Sequence, residues 1–370
     1  MLVKGGNLMP RLGVSIYPEH SNKEKDIEYL TTAAKYGFKR VFTCLLSVDG
    51  KTSEEVKTDF KEIISHANKL GMEVILDVNP NVFLNFNISY EDLSFFKELG
   101  AAGLRLDEGF DGAKEAFMTF NPHNLKIEIN ASTGTKYIDN ILSYKANKDN
   151  LITCHNFYPQ LYTGLSFKNF INFSKNLKEL GLKVAAFVSS QNDSTFGPWP
   201  VNEGLCTLEE HRFLPVDVAA RLLFATNLID DVIIANAYAS EEELKELSKV
   251  NPSKLTFKIN LEDGISDIEK EIIFNFPHFV RGDMSEYMAR STMCRITYKD
   301  SDIKPHHTNN LNRGDIIIIN NKYGHYKGEL HIILKAMPND GRKNVVGHIP
   351  ENELQLLDYI EPWKVFQIIQ

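Results

Sequence analysis

Gly103-Leu-Arg-Leu-Asp-Glu-Gly-Phe110 reads as a buried strand that carries an arginine and ends in two adjacent carboxylates just before a glycine turn. Side chains alternate across a strand, so Leu104 and Leu106 face one way and Arg105 and Asp107 the other. A charged second face is costly to bury unless its members are paired or used. In a closed barrel of parallel strands the chemistry collects where such strands end. Asp107 is therefore the first candidate for a functional site, and an Arg105–Asp107 pair that merely fills the barrel interior is the competing reading.

On either side of this stretch the first two-thirds of the chain repeats strand, polar loop, capped helix, glycine. The other strands read as Leu12–Pro18, Val41–Leu46, Glu73–Val78, Leu125–Ala131, Leu151–Tyr158, Val184–Ser189 and Asp231–Ala235. Ser21–Glu24, Thr52–Glu55, Ser89–Asp92 and Ser240–Glu243 read as helix caps, Gly37, Gly71, Gly100 and Gly181 as helix ends, and Asn79-Pro80 as the stop of strand three. Eight strand–helix pairs in about 250 residues require parallel pairing through right-handed crossovers, and favour a closed (β/α)8 barrel over an open doubly wound sheet. A long loop, Gln191–Cys206, carries Gly197-Pro-Trp-Pro200 and precedes a helix expected over Leu208–Thr226. Loops of that length commonly form lids or rims.

Past Asn251-Pro252 the pattern changes. One helix, Ser266–Asn275, is followed by short strands expected at Arg295–Tyr298, Asp315–Ile319, Glu329–Leu334, Val345–Ile349 and Lys364–Ile369, separated by turn residues. This places a boundary near residue 252, giving an α/β domain over 1–252 and a small, mostly-β domain over 253–370. The short linker predicts that the second domain packs against the first.

Composition narrows the function. The net charge of −8 comes from 41 basic and 49 acidic residues spread along the chain, so no nucleic-acid partner is expected. No run approaches 18 apolar residues and the N-terminus lacks the features of a secretory signal, so no membrane partner is expected either. The four cysteines are scattered without paired spacing, which supports neither disulfides nor a zinc site and suits the reducing cytoplasm. No strand leads into a dinucleotide or P-loop glycine motif. Neither metal nor cofactor is expected, and a homodimer is left open.

Reading each barrel strand with period two sends polar residues to one mouth. Strand one offers Ser15, Tyr17 and, past its end, Glu19; strand three Asp77 and Asn79; strand five Lys126, Glu128 and Asn130. Strand six offers Asn156 and Tyr158, or His155 in the opposite register. Carboxylates, amides and a tyrosine without a histidine-rich set suit acid/base work on a polyhydroxylated substrate. Asp107, Glu108, Glu128 and Glu19 are the candidate catalytic groups; Tyr17, Asp77, Asn130, His155, Asn156 and Tyr158 are candidate substrate contacts. In the second domain Arg281 and Arg290 could hold an anionic group, since the planar guanidinium suits phosphate and carboxylate. A sugar-phosphate isomerase or aldolase using an inward Lys126, and a non-catalytic carbohydrate-binding protein, are the rival classes.

LGVSIYPEH, GLRLDEGF, IEINAS, HNFYPQ, and the later RGD, ARS and GDIIIIN…YKGELHIIL together resemble the bacterial MupG-type 6-phospho-N-acetylmuramidase family along essentially the whole chain. The resemblance implies an N-terminal TIM barrel and a C-terminal cyclophilin-like β domain. It further implies hydrolysis, in the cytoplasm, of a phosphorylated amino-sugar disaccharide from recycled cell wall, cut between 6-phospho-N-acetylmuramic acid and N-acetylglucosamine. Two mechanisms fit: separate carboxylates as acid and partner, or attack by the substrate's own acetamido group oriented by an adjacent Asp107–Glu108 pair.

Overall fold

The computed structural model describes residues 10–45 and 52–370. The chain divides into two compact units, Met1–Lys249 and Val250–Gln370.

In the first unit eight parallel strands close into a barrel in sequence order: β1 (Arg11–Ser15), β2 (Arg40–Cys44), β3 (Glu73–Val78), β4 (Gly103–Leu106), β5 (Lys126–Asn130), β6 (Leu151–Cys154), β7 (Val184–Val188) and β8 (Asp231–Ile234). β8 returns to β1 through the register Arg11↔Asp231 to Val14↔Ile234, so no edge is left. Helices lie between the strands, which makes this a TIM barrel. The second strand was expected to reach Leu46, which lies outside the described residues.

Local chemistry explains most helix starts. Thr52 and Ser240 form full capping boxes with Glu55 and Glu243, as the spacing predicts. Elsewhere the caps differ from expectation. Asn22, not Ser21, caps the first helix by accepting from the Lys25 amide, while Ser21 Oγ turns back to Tyr17 O and Asp26. Asn79-Pro80 ends β3 and also opens a short helix, Pro80–Asn85, because proline at the first helical position sacrifices no hydrogen bond. The Ser89–Asp92 segment forms a turn, and the helix begins only at Ser94, whose amide donates to Asp92 Oδ1. The helix expected from Leu208 breaks into a 3-10 turn, Glu209–His211, and a helix, Val216–Ala225, with Pro215 at the junction.

Two kinds of layer fill the barrel. Near the strand N-termini, Asp231 accepts from Arg11 at 2.8 and 2.9 Å and from Arg40 at 2.8 Å, and Arg40 also pairs with Glu128. Burial works against the charge of Asp231, yet the two arginines hold its carboxyl below the usual range. Above this layer lie Phe42, Phe187, Ile233, Cys154 and Ala185, with the Phe42 and Phe187 rings edge to face at 5.1 Å. Phe42, Phe187 and Ile233 each contribute roughly 1.5–3 kcal/mol by leaving water.

The second unit is mostly β. A five-stranded antiparallel sheet has the order β10 (Asn260–Leu261), β15 (Lys343–His348), β13 (Asp315–Ile319), β14 (Leu330–Ile333), β12 (Met288–Ser291). A smaller sheet pairs β11 (His278–Phe279) and β9 (Leu255–Lys258) with β16 (Val365–Ile369). After Asp315, β13 reads as four consecutive isoleucines because it is the central strand and every residue is buried. Arg295–Tyr298, expected as a strand from its β-branched residues, is a helical turn at Cys294–Thr297. The strand lies earlier, at Met288–Ser291, where Arg290 pairs with His331. Cross-strand pairing outweighs local propensity there.

Candidate active site

β3 and β4 align Asp77 with Arg105, and β2 and β3 align Cys44 with Asp77, which puts three inward side chains on neighbouring strands near the strand C-termini. Asp107 extends the same face, its amide still donating to Val78 O at 3.0 Å. Arg105 Nη1 donates to Asp77 Oδ1 at 2.6 Å and to Asp107 Oδ1 at 3.1 Å, while Nη2 donates to Asn156 Oδ1. The guanidinium is buried and thereby fixes two carboxyl groups and an amide from three segments of the barrel.

These groups line a cavity of about 150 Å³ together with Cys44, Phe157, Pro198 and Trp199. Asp77 is only 5% exposed, whereas the Asp107 side chain is 37% exposed. Burial pushes the Asp77 carboxyl up to about 7 against the opposing pull of Arg105, with Asp107 and Glu128 adding to the rise. The site thus offers one buried carboxyl group that holds a proton near neutrality beside a second that meets water.

The loop after Asp107 is held from behind. Glu115, fully buried, accepts from the amides of Phe110 and Gly112 and from the Tyr137 hydroxyl. Tyr137 comes so close that a Cβ at Gly109 would lie 1.8 Å from its hydroxyl, so only glycine fits there. On the opposite rim, Arg212 donates to the carbonyls of Tyr158 and Gly204, both at 2.7 Å, and pairs with Glu209. That network ties the long loop bearing Pro198 and Trp199 to the segment after β6.

Of the expected site residues, the cavity gathers Asp77, Asp107 and Asn156. Tyr158 lies within the field of Arg105 and near Ser132, its phenol raised by burial. The alternation continues past β6, so Asn156 points inward and His155 outward. His155 is wholly buried between Ser132 Oγ at 3.1 Å and Ser174 Oγ at 2.9 Å, and burial lowers its pKa to about 3. It is a neutral packing group behind the strand and not a lining group.

Glu128 is likewise away from the cavity, enclosed with Arg40 one layer below. Tyr17 is a wall residue whose hydroxyl donates to Ala235 O at 2.5 Å. Asn130 Oδ1 accepts from the Ser132 amide, and the residue lines a separate cavity of about 140 Å³ with side chains of the helix Phe167–Glu179. Glu19 is half-buried in the turn after β1 and Glu108 is exposed; neither lines the cavity. Lys126 is bound at the other end of β5, its Nζ on Asp149 O at 2.9 Å and Asn150 Oδ1 at 3.0 Å. In the second unit Arg281 and Arg290 converge on Asp283 Oδ1, at 2.6 and 3.1 Å.

Sequence reasoning missed Cys44, Phe157 and Trp199 as lining residues. Cys44 joins them through its register with Asp77, which only the paired strands reveal, and Trp199 through the long loop that carries it.

Family models described as 6-phospho-N-acetylmuramidase, N-terminal and C-terminal, match residues 12–249 and 255–369. The chain belongs to the 6-phospho-N-acetylmuramidase family. Among solved structures, this member of the family is similar to an uncharacterized protein of B. cereus, 53% identical over 98% of this chain and 100% of the other, with a TM-score of 0.91. It is also similar to a conserved protein of unknown function from Enterococcus faecalis, 26% identical over 97% of this chain and 96% of the other, with a TM-score of 0.73. No curated protein is matched. Among the described residues no helix is long and apolar enough to cross a membrane, and no group of three or more His, Cys, Asp or Glu side chains is placed to hold a metal ion.

Proposed function

We propose that this protein is a cytoplasmic glycosidase that hydrolyses the bond between 6-phospho-N-acetylmuramic acid and N-acetylglucosamine in a disaccharide recovered from peptidoglycan. The observation that carries the reading is a pair of carboxyl groups, Asp77 and Asp107, bridged by Arg105 at the C-terminal mouth of a barrel whose whole length matches the family. Glycoside cleavage needs a carboxyl group on each of two tasks at the scissile bond, and this pair supplies them. Trp199, 43% exposed at the rim, offers a face on which a sugar ring can stack, and Asn156 offers an amide for a hydroxyl or acetamido group. Asp107 is the group that meets the anomeric centre.

The aldolase alternative has less support, because a Schiff-base lysine must reach the mouth and Lys126 is bonded at the opposite strand end. A pure binding protein would leave the disaccharide intact. Incubation with the phosphorylated disaccharide should release new reducing ends at micromolar enzyme, with the unphosphorylated analogue cleaved far more slowly. Tight binding of the disaccharide without product would turn the assignment to a carbohydrate-binding protein.

A further inference from the structure

We propose that the two aspartates divide the chemistry, Asp77 acting as the proton donor to the glycosidic oxygen and Asp107 as the carboxylate that faces the anomeric carbon. This rests on the glycosidase reading above and assigns each carboxyl group its task.

Asp77 closes β3 at the cavity floor and Asp107 follows β4 on the neighbouring strand, and both accept from the same nitrogen, Arg105 Nη1. Sharing one nitrogen keeps these oxygens closer than the roughly 6.5–9.5 Å that inverting enzymes leave for a water between their carboxyl groups. The chemistry therefore proceeds with retention.

When two carboxyl groups share a site, the more enclosed one keeps its proton and the more solvated one ionises. Asp77 is the enclosed member. The ionisable groups around it come from five other barrel segments: Tyr17 after β1, Cys44 on β2, Arg105 with Asp107 on and after β4, Glu128 on β5 and Cys154 on β6. Arg105 alone is cationic among them and favours ionisation; burial and the carboxylates oppose it and leave the group titrating near 7. Asp107 pairs with Arg105 and leaves 37% of its side chain open to solvent.

The proton of Asp77 passes to the glycosidic oxygen while the bond from that oxygen to the anomeric carbon breaks, its electron pair leaving with the sugar alcohol. The Asp107 carboxylate meets the positive charge left on the anomeric carbon. Water then enters on the side vacated by the leaving group and its oxygen bonds to that carbon. Its proton passes to the Asp77 carboxylate, which restores both groups.

The test compares the natural phosphorylated disaccharide with an aryl 6-phospho-N-acetylmuraminide whose phenolate leaves without a proton. Wild-type kcat/KM on the disaccharide should fall above about pH 7, and that limb should be absent with the aryl substrate. Asp77→Asn should lose about 10²- to 10⁴-fold on the disaccharide and less than about tenfold on the aryl glycoside, whereas Asp107→Asn should lose both. Equal losses on the two substrates for Asp77→Asn, or an unimpaired disaccharide reaction, overturn the assignment while leaving the glycosidase reading intact. A wild-type protein inert on both substrates overturns that reading and this assignment with it. Because Asp77 anchors Arg105, its replacement can cost folding, so two wild-type measurements stand beside the variants. Carboxyl ¹³C titration should show an aspartate near 7, and the first-formed sugar should keep its anomeric configuration. Titration of every aspartate below about 5, or inversion at the anomeric carbon, overturns the proposal.

Discussion

The barrel holds two arginine–carboxylate clusters on the inward faces of its strands. At the N-terminal end Arg40 sits between Asp231 and Glu128, and Arg11 joins the same Asp231 to Glu73; at the C-terminal end Arg105 sits between Asp77 and Asp107. The residue types match, and the strand pattern that brings them inward is the same. Height along the barrel separates them. Arg40 is 2% exposed and Glu128 wholly enclosed under a layer of phenylalanines, while the upper cluster opens into a cavity and leaves Asp107 in contact with water. Paired charge inside a barrel is thus structural or chemical according to whether a substrate can reach it.

Interventions at the two clusters should give opposite phenotypes. The largest expected effect is at the upper one: Asp107→Asn should reduce disaccharide turnover about 10²- to 10⁴-fold with an unchanged melting transition. Near-normal turnover in a folded Asn variant would erase the distinction between the clusters. At the lower one, Arg40→Met leaves Glu128 enclosed without its partner and should cost about 3–5 kcal/mol of stability in denaturant titration. In conditions where the variant remains folded, kcat should stay near wild type; a specific loss of turnover would mean that the lower cluster also serves the chemistry.

The third intervention is pH, and the signs differ within the barrel. His155 is buried neutral with a pKa near 3 against about 6.5 when unfolded, so its contribution is complete above 6.5 and is lost as pH falls toward 3. Asp77 is raised from an unfolded value near 3.9 to about 7, so the fold is favoured at low pH by this group and loses that margin as pH rises from about 4 to 7. Melting temperature against pH should have an acid limb that flattens in His155→Gln; an unaltered limb would assign it to other buried histidines such as His211. The smallest expected effect is at the rim, where Trp199→Ala should raise KM roughly five- to tenfold with little change in kcat. No change in KM would remove Trp199 from the sugar-binding face.

The sequence by itself determined the strand count, the parallel pairing and the change of pattern before the β-rich unit, and it favoured closure of the barrel and Asp107 as the first site candidate. These rest on short-range chemistry: apolar alternation, Thr52 and Ser240 capping boxes, and a glycine such as Gly100, at φ 90°, ending the helix before β4. Alternation also placed Asp77 on the inner face, left Asn156 and His155 as alternatives on strand six, and then stopped being informative. Asp77, Glu128 and Lys126 all read as inward polar residues, yet one lines the cavity, one is sealed below it and one is bound at the far end of its strand. Their separation depends on barrel stagger, which sets how high each residue stands and is a property of the closed sheet, not of any one strand. The roles of Cys44, Phe157 and Trp199 were likewise decided only by tertiary structure, because they meet Asp77 and Asp107 through strand register and a long loop. Period-two reading fixes which face a side chain takes; only the closed barrel fixes what it finds there.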